Sequence, residues 1–274
     1  MIVWVTGASS GLGLHTAQAM AKAGHTVIAG ARSFQEGRQN QMHCFPLDVT
    51  DDESIQRFTA SALKVADHVD CVVHCAGILM LGSCEETTLE EYARVMNTDF
   101  FGMVRINQAV LPLMRAQGHG KIMMFSSING LLGIPFQSAY TAAKHAVEGY
   151  AECLQMEVKP FGIQICLVEP GDHRSGSEAY RGHTTGMRQN SPYASFFQKG
   201  TAKIHHDEQN GSDPARLGEK VTRAAEKKHL PFRLRIASAD QHLAVFLHDL
   251  LPPSLNNRIL SGYYLKNKES NGSR

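Results

Sequence analysis

The chain of 274 residues lacks an excess of charge of either sign and lacks a long apolar run. Lysine and arginine together number 27, aspartate and glutamate together number 26, and the formal net charge is +1. Without a basic excess, neither nucleic acid nor an anionic membrane surface is expected as the main partner. No stretch reaches the roughly 18 apolar residues that a membrane-spanning helix needs, so no membrane span is predicted.

Cysteine is also scarce, with six residues and no framework of closely spaced pairs. This pattern favours free thiols in a reducing compartment, and we expect a cytoplasmic protein. The apolar stretch Ile2–Val5 has only four residues and no basic segment before it. We therefore interpret it as a buried strand and not as a signal peptide.

No metal site is predicted, although two clusters contain ligand-type side chains. Cys71, His74 and Cys75 lie within one strand, where successive side chains point to opposite faces. Small buried residues explain them better than a metal site does. The run His205–Glu208 is interpreted as a solvated polar turn.

Short apolar runs alternate with longer amphipathic segments up to Pro170. The runs predicted as strands are Ile2–Val5, Thr26–Ala29, His43–Pro46, Val69–His74, Lys121–Phe125 and Ile163–Val168. The segments predicted as helices are Leu12–Ala23, Glu53–Val65, Met103–Gln117 and Ser138–Lys159. Strands that alternate with such helices indicate βαβ units. The sequence therefore predicts an α/β fold, a doubly wound Rossmann-type parallel sheet with helices on both faces, in a single domain of residues 1–274.

Beyond Pro170 the pattern changes. Residues 172–211 are rich in Gly, Ser, His, Asn and Gln, and we interpret this segment as a lid over a site. Helical pattern resumes at Asp213 and in a second amphipathic stretch that ends at Pro252. Residues 267–274 are expected to form a disordered tail. The apolar lid residues that would cover a substrate are Tyr180, Met187, Tyr193, Phe196 and Phe197.

The first strand runs into T-G-A-S-S-G-L-G, residues 6–13, which has two interpretations. Gly7 to Gly11 matches G-x-S-x-G, the turn that carries the nucleophilic serine of α/β-hydrolases, here Ser9. That serine needs an oxyanion hole built partly from an earlier loop, but only eight residues precede Ser9 and they form the first strand. The hydrolase interpretation is therefore disfavoured.

As a glycine-rich loop, the same stretch fits a dinucleotide. Gly7 would leave the strand in a tight turn, Gly11 would let the backbone approach a pyrophosphate, and Gly13 would let the helix pack close to the strand. The helix N-terminus would then offer its amides to the phosphates. Taken alone, the spacing also fits a tight strand-to-helix turn with no ligand. The residues predicted to hold the cofactor here are Gly7, Ser9, Ser10, Gly11, Leu12 and Gly13.

Tyr140 and Lys144 lie four residues apart in a predicted helix, which places both on one face. A free tyrosine has a pKa of about 10, and lowering it to about 7 requires roughly 4 kcal/mol of preference for the phenolate. An ammonium about 5 Å away supplies about 3 kcal/mol at an effective dielectric constant of about 20. The pair is therefore sufficient for acid–base catalysis, although Tyr and Lys at this spacing also occur by chance on many helices.

Further motifs accompany the glycine loop and this pair. Cys75–Gly77 follows a strand, Ser127 lies thirteen residues before Tyr140, and Glu169–Gly171 ends another strand. In combination, the first 175 or so residues resemble the short-chain dehydrogenase/reductase family. Within that family, the stretch around Tyr140 is most similar to the branch of the 17β-hydroxysteroid and retinol dehydrogenases.

The resemblance implies a role for each matching residue. Tyr140 would be the general acid in reduction and the base in oxidation, Lys144 would lower its pKa and hold the nicotinamide ribose, and Ser127 would hydrogen-bond the substrate oxygen. Hydride transfer itself would belong to the nicotinamide. The further residues expected to line the cofactor are Cys75, Ala76, Gly77, Pro170 and Gly171.

Two positions depart from the family pattern. Asp99 stands where the family has Asn, three residues before Gly102. Its main-chain carbonyl would still serve the proton relay, which makes Asp99 a fourth candidate catalytic residue. Its carboxylate near Lys144 would change the pH profile or weaken activity. Cys75 stands where the family has another Asn, and a thiol cannot make all the hydrogen bonds of an amide.

The end of the second strand bears on the choice of cofactor. Folds that prefer NAD(H) place an acidic residue there, but this strand ends in Ala31-Arg32. A guanidinium suits the 2′-phosphate of NADP(H), with Ser10 as a second contact, so NADP(H) is favoured over NAD(H). The alternative is that Arg32 is only a solvated loop residue. By resemblance, Asp48 and Val49 would flank the adenine.

We therefore expect an oxidoreductase that transfers a hydride between NADP(H) and a secondary alcohol or ketone. The resemblance favours a bulky apolar substrate, such as a steroid or a retinoid, while small carbonyls or sugar alcohols are an alternative. A further alternative is a non-catalytic, dinucleotide-binding sensor whose proton relay is damaged at Asp99. The resemblance also implies a homo-oligomer, a dimer or a tetramer, assembled through the helices Met103–Gln117 and Ser138–Lys159.

Overall fold

The computed structural model describes residues 1–187 and 190–265, apart from the side chain of Tyr180, and the predicted tail of residues 267–274 lies outside them. The strands of the described residues are β1 Ile2–Thr6, β2 Thr26–Ala31, β3 Gly37–Gln39, β4 Met42–Pro46, β5 Cys71–His74, β6 Met80–Leu81, β7 Gly120–Phe125, β8 Ile163–Pro170, β9 Gly182–His183 and β10 Arg233–Ile236. Their α-helices are α1 Gly11–Lys22, α2 Asp52–Val65, α3 Leu89–Met96, α4 Gly102–Gln117, α5 Ser138–Val158, α6 Ala194–Gln209, α7 Pro214–Glu226, α8 Ala239–Leu250 and α9 Pro253–Leu265. A π-helical turn, Asn97–Phe101, joins α3 to α4.

Eight strands form one sheet in the order β10-β8-β7-β5-β1-β2-β4-β3. All neighbours are parallel except β3 and β4. In β1, Val3 pairs with Val27 of β2 on one side and with Cys71 of β5 on the other. The strands that follow β1 in the chain are therefore added first on the β2 side of the sheet and later on the β5 side. This reversal opens a crevice at the carboxyl ends of β1 and β5. The predicted fold class, a doubly wound parallel sheet covered by helices, is confirmed.

Two apolar layers hold the helices against the sheet, and the side chains of β1 alternate between them. Trp4 packs edge-on against Phe58 of α2, with ring centroids 5.6 Å apart. Val3 and Val5 join the layer formed with α1 and α7. The side chains of Val3, Trp4 and Val5 are all fully buried. Because both faces are covered, β1 needs a continuous apolar run, and its burial fixes the position of the loop that follows it.

The predicted lid segment contains regular structure. The run His205–Glu208 is not a turn, as the sequence suggested, but part of the helix α6. Its helical period is hard to recognise because Gly200 and Ile204 are the buried positions on a largely polar helix. Earlier in the segment, β9 pairs with β6, and the buried carboxylate of Glu91 accepts a hydrogen bond from the Thr184 hydroxyl at 2.6 Å. The segment is therefore anchored at both its strand and its helix.

The helices α8 and α9 follow the last strand of the sheet. Pro252 lies between them, and Pro253 begins α9, because a proline is tolerated in the first turn of a helix. Their exposed large apolar side chains are Leu243, Phe246, Leu250, Leu255, Ile259 and Tyr263. None of the helices in residues 1–187 and 190–265 has both the length and the apolar character needed to span a bilayer.

A buried ion cluster fixes the end of β8, which leads into the candidate site. Glu169 is fully buried and accepts hydrogen bonds from Arg233 at 2.6 Å and from Arg235 at 2.8 Å. Arg233 also pairs with Glu148 and Glu152 of α5. One guanidinium thus neutralises carboxylates of a strand and of a helix, and it ties β8 and β10 to α5.

Replacing Arg233 with methionine is expected to lower the free energy of unfolding by about 3 kcal/mol, because Glu148 and Glu169 would stay buried with less positive charge beside them. Urea unfolding followed by circular dichroism measures the change. Arg258→Met removes an exposed arginine of α9 and is the matched control, with an expected change within about 0.5 kcal/mol. Equal effects of the two variants would contradict the role given to Arg233.

Candidate active site

A cavity of about 470 Å³ lies at the carboxyl ends of the strands, where the strand order reverses beside β1. Loops after β1, β2, β4, β5, β7 and β8 contribute to it, together with α5. All of the residues that the sequence predicts for catalysis and cofactor binding line this cavity. They are Gly7, Ser9, Ser10, Gly11, Leu12, Gly13, Arg32, Asp48, Val49, Cys75, Ala76, Gly77, Asp99, Ser127, Tyr140, Lys144, Pro170 and Gly171.

The loop between β1 and α1 leaves no room for a side chain at two of its glycines. Gly7 has a φ of 68°, and a Cβ there would lie 2.6 Å from the backbone of Ala76. A Cβ on Gly13 would lie 2.2 Å from the carbonyl oxygen of Gly7. Helix α1 begins at Gly11 with no side-chain cap, so the amides of its first turn remain available to a ligand. This geometry fits the pyrophosphate of a dinucleotide.

The loops after β2 and β4 bring a cation and a carboxylate into the same cavity. Arg32 is exposed and lines the cavity together with Asp48. The Asp48 Oδ1 atom accepts hydrogen bonds from the amide and the hydroxyl of Thr50, at 2.9 and 2.7 Å. Burial acts to raise the pKa of Asp48. The hydrogen bonds from Thr50 and the charge of Arg32 together outweigh burial, and the pKa lies below its usual value. This part of the cavity thus presents an ionised acceptor and a cation to a ligand.

Tyr140 and Lys144 lie one turn apart on α5. The Lys144 ammonium is 5.2 Å from the centre of the Tyr140 ring and donates a hydrogen bond to the carbonyl oxygen of Phe125 at 3.0 Å. Lys144 is buried. The end of β7 therefore holds the ammonium beside the ring of Tyr140.

Ser127 is held by a network of amide side chains. Its Oγ accepts a hydrogen bond from the amide of Asn129 at 3.2 Å, and Asn129 Nδ2 donates to Gln137 Oε1 at 2.8 Å. The side chain of Ser127 acts to lower the pKa of the Tyr140 phenol. The sequence analysis missed Asn129 and Gln137 because amides eight residues apart form no motif. They fix the position of the Ser127 side chain in the cavity wall.

Asp99 forms a buried ion pair with Lys144. It lies in the π-helical turn before α4 and is fully buried, with Oδ2 3.2 Å from Lys144 Nζ. Its Oδ1 accepts a hydrogen bond from the amide of Ile78 at 2.7 Å. A Cβ on Gly77 would lie 2.9 Å from Oδ2, so this neighbour has to be small. The carboxylate of Asp99, and not only its main chain, therefore belongs to the site.

The ion pair corrects the expectation for the pKa of Tyr140. An unpaired Lys144 was expected to lower this pKa to about 7. Burial raises the pKa of Tyr140, Lys144 lowers it, and Asp99 raises it again, so that the pKa lies above its usual value. Burial lowers the pKa of Lys144, but Asp99 and the other groups around the ammonium together raise it above its usual value, which keeps the ammonium charged.

Cys75 stands where the family has asparagine, and other side chains at the ends of β1 and β5 make hydrogen bonds near this position. Thr6 Oγ1 accepts a hydrogen bond from the amide of Ala76 at 3.3 Å. Burial lowers the pKa of His74 to about 4, so its ring is neutral at neutral pH, and its Nε2 lies 2.8 Å from Asn107 Oδ1. These contacts fix the cavity-lining backbone of Cys75–Gly77 without an asparagine at position 75.

Apolar residues of the lid segment do not cover the cavity as expected. Phe197 packs against another phenylalanine with ring centroids 5.3 Å apart, Phe196 is 51% exposed, and Tyr193 donates its hydroxyl to an exposed carboxylate. The predicted role of Tyr180 concerns a side chain outside the described residues, and Met187 is half-buried away from the cavity lining. The expectation of an apolar cover is therefore wrong for Tyr193, Phe196 and Phe197.

The lid segment instead contributes polar and charged residues to the cavity. Among them are Asp172, His173, Arg181, Asp207 and Glu208. No motif in the sequence marks Asp172, Arg181, Asp207 or Glu208 as residues of a site. The adjacent acids on α6 follow the buried Ile204 at helical spacing, but this signal is visible only once α6 is known.

The chain is similar to known proteins over most of its length. The family model described as short chain dehydrogenase matches residues 1–185. A 3-ketodihydrosphingosine reductase of Bacteroides thetaiotaomicron is 37% identical over 263 residues, which cover 96% of this chain and 97% of that protein. The dehydrogenase/reductase SDR family member 7B of Xenopus laevis is 29% identical over 268 residues, covering 92% of this chain and 78% of that protein. A short-chain dehydrogenase crystal structure from Streptomyces avermitilis has a TM-score of 0.78 and 32% identity, covering 95% of this chain and 96% of that one.

Proposed function

Because the chain belongs to the short-chain dehydrogenase/reductase family, as the sequence motifs predicted, we propose that it reduces a ketone to a secondary alcohol with NADPH. One observation carries the proposal: a single cavity joins the glycine loop after β1 to the side chains of Ser127, Tyr140 and Lys144. A pyrophosphate cradle and an acid–base group in one chamber suit hydride transfer to a carbonyl carbon with protonation of its oxygen.

Three side chains of the cavity would each have a distinct role in the reduction. Bound NADPH supplies the hydride. Ser127 donates a hydrogen bond to the carbonyl oxygen, and the Tyr140 hydroxyl gives its proton to the same oxygen as the alcohol forms. Lys144, held by the Phe125 carbonyl, stabilises the phenolate that remains. The raised pKa of Tyr140 keeps the phenol protonated at neutral pH, which favours the direction of reduction.

We further propose that the substrate is a long-chain ketone of the kind named for the Bacteroides relative, 3-ketodihydrosphingosine. That relative matches nearly the whole of both chains. A steroid or retinoid, expected from the branch resemblance, would need an apolar wall where this cavity carries Asp172 and Glu208. The test is NADPH oxidation with 3-ketodihydrosphingosine in mixed micelles, with the product identified by mass spectrometry. No reduction of this ketone by a protein that binds NADPH would overturn the proposed substrate.

Arg32 is expected to select NADPH. In Arg32→Ala, the affinity for NADPH should fall by roughly 10- to 100-fold, because a charge-assisted hydrogen bond to the 2′-phosphate would be lost. The affinity for NADH, which has no such phosphate, should be unchanged. Titration of each nucleotide by fluorescence measures both constants.

Arg38→Ala is the matched control for Arg32. Arg38 lies on β3, bonds His43 at 3.0 Å and does not line the cavity, so both nucleotides should bind as to the wild type. If NADH bound as tightly as NADPH to the wild type, Arg32 would be a solvated loop residue and the preference for NADP(H) would be refuted. If neither nucleotide bound, the loop after β1 would not be a dinucleotide-binding loop, and the proposed reductase activity would also be refuted.

A further inference from the structure

The cavity wall that follows β8 carries polar side chains that neither hydride transfer nor proton transfer uses. Asp172 and His173 come directly after the strand, and Asp207 and Glu208 lie on α6. Arg181 lies between them in the chain and lines the same cavity. We call these five residues the charged wall.

Two of the three carboxylates in the charged wall have cations of their own. Glu208 forms an ion pair with Arg181 through both of its oxygens. Asp207 pairs with Lys203, one turn earlier on α6, at 2.5 Å. These pairs are internally neutral and offer little attraction to a charged ligand.

Asp172 is the carboxylate of the wall that has no cationic partner among the described residues. Its Oδ2 accepts a hydrogen bond from the side-chain amide of Gln241 at 2.6 Å. Burial and the charges of Glu208, Asp207 and Asp240 raise its pKa to about 7. Burial is the largest cause of this rise, the neighbouring negative charges add to it, and a cation bound beside the carboxylate would oppose both.

Two further groups of the wall are buried without a partner in the part of the chain that the structure describes. His173 is 5% exposed, and its Nδ1 bonds the carbonyl oxygen of Gly171 at 2.9 Å, while its Nε2 has no partner. Burial lowers the pKa of His173, so Nε2 carries a lone pair at neutral pH. The Arg181 side chain is 4% exposed, and its Nε–H lacks an acceptor. Buried polar groups are rarely left unpaired, which points to a polar ligand.

Resting on the proposed ketone reduction, we propose that the charged wall binds a protonated amine of the substrate, with Asp172 as its counter-ion and His173 Nε2 as a second acceptor. The substrate class is therefore an amino ketone. A hydroxyl oxygen on the same substrate would satisfy the Nε–H of Arg181. Two acceptors and one donor match an ammonium beside a hydroxyl, whereas an anionic substituent would be repelled by Asp172.

The charged wall lines the same cavity as Ser127 and Tyr140, the side chains proposed to hold the reacting carbonyl. The charge of Glu208 acts to raise the pKa of Tyr140, so the charges of the wall act on the phenol across this cavity. An amine on a carbon near the carbonyl can therefore reach Asp172 while the carbonyl oxygen is held by Ser127 and Tyr140. The amine takes no part in the bond changes: the hydride goes to the carbonyl carbon, and the proton of Tyr140 goes to its oxygen.

The experiment compares two short-chain ketones of equal length, a 2-amino-1-hydroxy-3-ketone and the 1-hydroxy-3-ketone without the amine. With NADPH, the wild type should have a kcat/KM roughly 10- to 100-fold higher for the amino ketone. In Asp172→Asn this ratio should fall to within a few-fold of one. Asp249→Asn, which removes a 72% exposed carboxylate of α8, is the matched control and should keep the wild-type ratio.

The pH dependence of KM gives a second measurement on the wild type. The charges that face Asp172 are Glu208, Asp207 and Asp240, with Arg181 and Lys203 paired to the first two. Because the carboxylate must be ionised to bind an ammonium, KM for the amino ketone should fall as the pH rises through about 7. KM for the ketone without the amine should not change over this range.

The outcomes of these experiments distinguish failure of the amine site from failure of the proposed reductase activity. Equal efficiency of the wild type for both ketones, or an unchanged ratio in Asp172→Asn, would overturn the amine site and leave the reductase standing. No turnover of either ketone by a wild type that binds NADPH would overturn the reductase and the amino-ketone class together. If Asp172→Asn fails to bind NADPH and is therefore misfolded, inhibition of the wild type decides: a long-chain alkylamine should inhibit reduction of the neutral ketone, and the alkyl alcohol of equal length should not. Equal inhibition by both would overturn the amine site.

Discussion

Replacing Tyr140 with phenylalanine is expected to lower the rate of ketone reduction by about 100- to 10,000-fold, the range produced by the loss of a general acid. The change deletes one hydroxyl and keeps the ring that lies beside Lys144. Binding of NADPH should be retained, because the glycine loop after β1 is untouched. Single-turnover oxidation of NADPH at saturating ketone measures the chemical step, and a fluorescence titration of the same sample measures nucleotide binding.

Tyr150→Phe on the same helix is the matched control. The Tyr150 hydroxyl accepts a hydrogen bond from Asn107 at 3.3 Å, and the residue does not line the cavity, so turnover should equal that of the wild type. Wild-type turnover by Tyr140→Phe would show that Tyr140 is not the acid. Loss of turnover without loss of NADPH binding would separate catalysis from the alternative of a dinucleotide-binding sensor.

Short-range spacing indicated the glycine loop and the Tyr140–Lys144 pair, and their combination with the other motifs distinguished them from chance patterns. The loop depends on close backbone approach: a Cβ on Gly13 would meet the carbonyl oxygen of Gly7 within the loop, and a Cβ on Gly7 would meet the backbone of Ala76 after β5. The pair depends on helical geometry alone, because residues four apart share a face of any α-helix. The parallel sheet was predictable for a related reason, since each strand–helix–strand unit is a local pattern.

Contacts between distant segments could not be predicted from spacing. Only the family resemblance placed the Asp99 carboxylate near Lys144, because no periodicity in the sequence reveals the π-helical turn that brings the two side chains together. The charged wall was missed for a similar reason, because α6 buries little apolar surface and the sequence suggested a solvated turn at its acidic residues. In both cases the sequence does not reveal which charges surround a side chain. For this reason the pKa of Tyr140 was expected to be lowered, whereas it is raised.

Asp99 is expected to set the pH range of the reaction through its ion pair. It is fully buried, and its Oδ2 lies 3.2 Å from the Lys144 ammonium. Its negative charge opposes the stabilisation that Lys144 gives to a phenolate of Tyr140. Glu208 acts in the same direction, but Arg181 is paired with it.

Asp99→Asn is therefore expected to lower the pKa of Tyr140 by about one unit or more. Reduction needs the protonated phenol, so its rate should begin to fall at a pH lower by the same amount. Oxidation of the alcohol needs the phenolate, so its rate should begin to rise at a correspondingly lower pH. Asparagine keeps the side-chain volume and an oxygen for the amide of Ile78, so folding and NADPH binding should be retained.

Profiles of kcat against pH in both directions test this electrostatic role. Glu208→Gln is the graded control and should shift both profiles in the same direction by less, because its carboxylate is already neutralised by Arg181. A purely structural role of Asp99 would lower both rates at every pH and leave the midpoints in place. Unmoved midpoints in Asp99→Asn would therefore contradict the electrostatic role and assign the carboxylate a structural one. A joint shift to lower pH has no structural explanation, because one protonation state promotes reduction and the other promotes oxidation.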